Sequence, residues 1–85
     1  MREVVPTEAF QDEIHVLIPD ARVADEYLFG VVTVLSNNPE IGMPIHKGSI
    51  VWAIPMAPIK GEQVVIYYEF DATTVFLLSI RPFRK

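Results

Sequence analysis

The chain has no cysteine, which excludes a disulfide framework and a thiolate metal centre and is consistent with a reducing compartment. Its opening, Met1-Arg2-Glu3-Val4-Val5-Pro6, contains no apolar signal core. No uninterrupted apolar run approaches the ~18 residues of a membrane span. A cytoplasmic protein without membrane contact is therefore expected. The four glycines form no phosphate-cradling loop. The only histidines, His15 and His46, make no closely spaced ligand pair, so neither a metal site nor a cofactor is expected. Ser36, Ser49 and Ser79 do not sit in a nucleophile-elbow context. The adjacent acids Asp12-Glu13 and Asp25-Glu26 would not face one another on a helix, and they read as solvated charge.

What is present in quantity is apolar side chain. Eighty-five residues make one domain, spanning 1–85, with room for a single core, yet 51% of them are hydrophobic. So short a chain buries only roughly 60–65% of its unfolded surface. Part of the apolar surplus must stay outside, and a contiguous patch of that kind marks a partner site. A tight protein–protein contact is expected, with a partner chain or in a homodimer. The net charge of −4 is unevenly spread. Residues 1–42 hold two basic and eight acidic residues, a net of −6, whereas residues 43–85 hold five basic and three acidic, a net of +2. That is far from the strongly basic face of a typical nucleic-acid binder.

The strongest pattern lies late in the chain. Val64-Val65-Ile66-Tyr67-Tyr68-Glu69-Phe70 and Val75-Phe76-Leu77-Leu78-Ser79-Ile80 flank a polar break at Asp71-Ala72-Thr73-Thr74 and read as an antiparallel hairpin. Alternation puts Val64, Ile66, Tyr68 and Phe70 on one face and Val65, Tyr67 and Glu69 on the other. In the second strand it groups Val75 with Leu77, and Phe76 with Leu78 and Ile80. Neither strand has enough polar residues to be an exposed edge, so both are expected at the centre of a sheet covered on at least one face.

Upstream, a short strand at 2–5 is closed by Pro6, and Thr7 caps a helix whose stripe is Phe10, Ile14, Leu17 and Ile18. Pro19 stops it. Asp20 caps a second helix striped by Ala24, Leu28, Val31 and Leu35, which ends at Ser36-Asn37-Asn38-Pro39. Residues 40–48 form a loop. Ser49–Ile54 is a third strand candidate ended by Pro55, and residues 56–61 form a rigid connection. The tail, 81–85, leaves the sheet. The fold class is α+β: two N-terminal helices packed on a curved antiparallel sheet in the order β-α-α-β-β-β.

Two groups of residues carry candidate chemistry. Trp52, Tyr67 and Tyr68 fit either core packing or a stacking or partner surface, and Phe83 adds an aromatic beside them near the chain end. The basic residues Lys47, Lys60, Arg81, Arg84 and Lys85 all fall in the strand half. They fit a solvated cluster, or a cation set able to stabilise a phosphorane while Lys, Tyr or His moves protons.

Four segments, in this order and with these separations, carry a family resemblance: Asn38-Pro39-Glu40-Ile41-Gly42-Met43-Pro44-Ile45, Trp52-Ala53-Ile54-Pro55, Val65-Ile66-Tyr67-Tyr68 and Thr74-Val75-Phe76-Leu77-Leu78-Ser79-Ile80. Together they resemble the RelE/ParE superfamily of type II toxin–antitoxin toxins, through its "NPELGRP" loop, "RWALP…GARVIYY" strands and "VYLLLV" closing strand. The resemblance implies a toxin neutralised by a cognate antitoxin. It also implies one of two targets, mRNA on the ribosome, cleaved without a metal, or DNA gyrase, and it includes a role in plasmid stabilization. Lys60, Arg81 and Arg84 remain as counterparts of the catalytic cations, and Trp52, Tyr67, Tyr68 and Phe83 are expected to bind the partner. Where the RelE-like pattern has Arg and Lys, this chain has Met56, Ala57 and Ile59, and Val64 replaces the strand arginine. Loss of one such charged stabiliser costs ~10²–10³ in rate, so a non-catalytic binding module on the same fold is the alternative.

Overall fold

Thr7 sets the first corner of the chain. Strand β1 (Glu3–Pro6) gives way there to helix α1 (Glu8–Leu17), and the Thr7 Oγ1 accepts from the Phe10 N–H at 3.4 Å. The same hydroxyl donates to the Leu77 carbonyl at 2.8 Å, so the helix start is tied to a strand near the other end of the chain. Asp20 opens α2 (Ala21–Asn37) by accepting from the Arg22 and Val23 N–H groups. The computed structural model describes residues 1–83.

After α2 come a 3₁₀ turn (Pro39–Ile41) and the strands β2 (Met43–Pro44), β3 (Trp52–Ile59), β4 (Glu62–Phe70) and β5 (Thr74–Pro82). They form one five-stranded sheet in the order β1-β5-β4-β3-β2. The expected order β-α-α-β-β-β holds, with β2 as a two-residue addition inside the segment read as a loop. The sheet is mixed at one edge, because β1 runs parallel to β5, from Glu3 opposite Thr74 to Pro6 opposite Leu77. Four residues of strand carry no local signal of direction. Their pairing is decided by the Arg2 N–H bonding to Ser36 O and the Glu3 N–H to Thr73 O.

Strand boundaries differ from the sequence-based expectation, slightly at β1, which takes in Pro6, and most at β3 and β5. β3 begins at Trp52, three residues after Ser49, and passes through Pro55 instead of ending there. β2 covers only Trp52 and Ala53, so beyond Ala53 the strand is an edge, where a missing N–H is tolerated. Pro58 lies where the β3–β4 register shifts, between Met56 and Ile59. The connection then reverses at Lys60-Gly61, both with positive φ (53° and 79°), in a two-residue hairpin loop. β5 runs on through Arg81 and Pro82, residues expected in the departing tail.

The core fills the space between the helices and one sheet face: Phe10, Ile14 and Ile18; Ala24, Val31 and Leu35; Val64, Ile66 and Tyr68; Val75, Leu77 and Ile80. Burying each large apolar member stabilises the fold by about 1.5–3 kcal/mol. Ile80 belongs to this set, although simple alternation groups it with Phe76. The register shift between Tyr67 and Tyr68 inserts one residue into β5, so that Tyr67 faces Ser79 and Tyr68 faces Leu77. Past that bulge the sides exchange, and Ile80 turns inward.

The β4–β5 turn is held by one carboxylate. Asp71 Oδ1 accepts from the Thr73 and Thr74 N–H groups at 2.8 Å each. These bonds, Thr73 first, hold the Asp71 carboxyl below its ordinary range. The folded chain thus favours the charged form, and the turn's contribution, present above the ordinary Asp value, fades as pH falls through the lowered one. In an NMR titration the Thr73 and Thr74 amide shifts should move only below the usual carboxylate range. Asp71→Asn, which keeps an acceptor oxygen, should abolish that acid step while preserving the hairpin.

Candidate functional site: an uncharged groove on the open sheet face

Alternation along β4 sends Val65 and Tyr67 away from the helices, onto a face that no element of the described chain covers. β3 contributes Ala53 and Pro55 beside them, Gln63 and Phe83 close one end, and the segment from Ile41 to Ile45 rises as a wall. Together these eleven residues line an open groove of about 700 Å³. None of them carries a charge. The polar side-chain groups are the Tyr67 hydroxyl and the Gln63 amide, and the latter already donates to Met56 O at 2.9 Å. The wall is strongly apolar outward: Ile41, Met43 and Ile45 are 53%, 72% and 50% exposed, and Phe83 is 55% exposed. Further along the same face of β4, Glu69 stands with Ile50 and Phe76 round a smaller hollow of about 220 Å³.

The wall is anchored from beneath. Tyr68 is fully buried. Its hydroxyl donates to Pro39 O at 2.6 Å and accepts from the Gly42 N–H at 3.2 Å. Burial pushes the phenol above its ordinary value, with the Gly42 N–H opposing it, so it stays a neutral donor. Gly42 is needed because a Cβ there would meet both Ala53 O and the Tyr68 hydroxyl at 2.5 Å. A comparable tie holds the far end of β3, where Tyr27 of α2 donates to Ala57 O at 2.6 Å and desolvation pushes its phenol up to about 12.

The four aromatics expected to meet a partner are therefore divided. Tyr67 and Phe83 line the groove. Tyr68 is a correction, since a wholly buried ring cannot touch a partner. Trp52 stands opposite Tyr68 on the helix side of the sheet, with its ring edge-on to Phe70 at 5.2 Å. It is half-buried against the core and apart from the groove. The wall residues Ile41, Met43 and Ile45 were missed. Their signal was a period-two apolar alternation inside a Gly- and Pro-rich segment that reads as loop.

The candidate cations are not gathered either. Lys60 is exposed at the tip of the β3–β4 turn. Arg81 stands opposite Val65, three strand positions from Glu62, hence roughly 10 Å along the sheet from that turn. Its guanidinium is engaged: Nε donates to Ser79 Oγ at 3.0 Å, and NH2 lies 3.3 Å from Glu13 Oε2. Arg84 lies outside the described residues. Glu13 in turn accepts from Ser79 Oγ at 2.8 Å and from the Ile80 N–H at 3.2 Å. β1 pairs with β5 only as far as Leu77, and this carboxylate satisfies the strand edge beyond it.

No protein-family model matches the chain, and no curated protein matches it significantly. Solved structures do. A chain of the toxin–antitoxin complex RelBE2 from Mycobacterium tuberculosis is 22% identical, with 99% of this chain and 93% of that one covered and a TM-score of 0.71. The YoeB/ParE toxin from Agrobacterium tumefaciens is 13% identical, with 96% and 99% covered and a TM-score of 0.65. The class is thus a RelE/ParE-like α+β fold. Among the described residues no helix is long and apolar enough to cross a membrane.

Glu13→Ala should lower stability by about 1–2 kcal/mol, because it leaves the part-buried Ile80 N–H without its acceptor. Arg81→Ala should cost under about 1 kcal/mol, since its ion pair is mostly solvent-exposed. Urea denaturation of both variants, read as a shift in midpoint at constant slope, checks this order.

Proposed function

We propose that this chain is the toxin of a type II toxin–antitoxin pair, held by its antitoxin across the open sheet face, and that it acts by gripping a protein, of the DNA gyrase class, rather than by cleaving mRNA. The observation that supports this reading is the absence of charge among the described residues that line the groove. Phosphoryl cleavage without a metal needs cations and a proton carrier within hydrogen-bond reach of one phosphate. Here the groove offers a tyrosine hydroxyl and an occupied amide, while Lys60 sits at a turn tip and Arg81 is tied to Glu13 and Ser79. An apolar concavity with exposed isoleucine, methionine and phenylalanine on its walls is instead the surface that a protein partner covers. The likeness to a chain of a toxin–antitoxin complex supports the antitoxin part of the reading. The reading places the protein in the cytoplasm with its target.

The test is induction in bacteria with and without a candidate antitoxin, the product of any short gene that adjoins this one. The expected outcome is growth arrest with DNA damage and intact transcripts, relieved by that product. Tyr67→Ala combined with Phe83→Ala should weaken the measured affinity for the product by about tenfold or more, as loss of aromatic anchors does. Arrest with cut transcripts would return the chain to the ribonuclease reading. No arrest from folded protein that still binds the product would make it a binding module alone.

A further inference from the structure

The wall of the groove is unusual in how little packing holds it. Of its side chains, Ile41, Met43 and Ile45 are half-exposed or more and contribute little burial, and Pro39 at its base is the buried member. Its pairing with the sheet is only two residues long, and one of them, Pro44, has no N–H to give. Apart from the Ile45 N–H on Val51 O, the remaining tie is the Tyr68 hydroxyl, which spans from Pro39 O to the Gly42 N–H. Gly42 lets the wall come this close, since any side chain there would collide with that hydroxyl and with Ala53 O.

We infer that Tyr68 is a positioning residue for the groove. From inside the core its hydroxyl fixes the wall that carries Ile41, Met43 and Ile45, and so sets the groove's width and its fit to the partner. The inference rests on the groove being the partner site, and it assigns a binding role to a residue that no partner touches. A flexible wall would have to be ordered during association, at a cost to affinity, whereas a tethered one is already in place.

Tyr68→Phe tests this, because it removes the hydroxyl and keeps the ring. Amide exchange should rise about tenfold or more at Gly42, as expected for loss of one hydrogen bond, and also at Ile45, whose own bond to Val51 is untouched. The β4 core amides should change little. Binding of the amphipathic anionic dye anilinonaphthalene sulfonate, through its aromatic rings, to the groove should weaken several-fold, and dissociation of the antitoxin candidate should quicken. Acceleration confined to Gly42, with Ile45 exchange and dye affinity as in the parent, would overturn the inference. Should Tyr68→Phe fail to fold, Gly42→Ala approaches the same wall from outside with the tyrosine in place. It should reproduce the Ile45 and dye effects, and parent-like values there would likewise overturn the proposal. Exchange and dye report on the latch without any partner. A latch that behaves as expected beside a parent chain that binds no antitoxin would refute only the toxin reading.

Discussion

β4 is paired on both edges, to β3 and to β5, so its side chains can leave the sheet in only two directions. The inward set, Val64, Ile66 and Tyr68, lies in one buried cluster with Phe10, Ile14, Val31 and Leu35. The outward set, Val65 and Tyr67, receives no cover from the described chain. Apolar residues stand on both faces of this one strand. The helices cover the first face, and the second is left open by the described residues.

The wall of the groove and the core meet in Tyr68. A phenol at this position is not interchangeable with another large apolar group, because its hydroxyl joins the Pro39 carbonyl to the Gly42 amide. A buried hydroxyl without partners would be costly, and here both its donor and acceptor capacity are used. The charge distribution follows a separate logic. Glu13 and Arg81 occupy the β5 edge past the end of β1, where they close a strand that would otherwise expose an unpaired N–H. Among the described residues, Glu13 and Arg81 seal this strand edge, and none of those lining the concavity is charged. On the proposed reading, that division suits recognition by shape and apolar contact.

Much of this was legible in the sequence. Both helices, their caps at Thr7 and Asp20, the stripes through Phe10 and Ile14 and through Ala24, Val31 and Leu35, and the turn at Asp71 to Thr74 follow from local patterns of period and capping. So does the split of β4 into two faces, with Tyr68 beside Val64 and Ile66, although which face the helices cover is settled only by the fold. What failed was reading proline as a stop. Pro55 ends a strand only where its missing N–H would be needed, and that depends on whether a neighbour lies alongside.

By itself the sequence determined both helices, the central hairpin and, up to the bulge in β5, which of their residues share a face, because side-chain direction within a helix or strand is a property of adjacent residues. The tertiary structure alone decided the rest. It set β1 parallel to β5, turned Ile80 inward past a bulge, let β3 run through two prolines, and brought Ile41, Met43 and Ile45 beside Tyr67 and Phe83 while leaving Lys60 and Arg81 apart. Each of these depends on pairing between segments distant in the chain, and the hydrogen bonds and close contacts that select a pairing do not exist until the chain has folded.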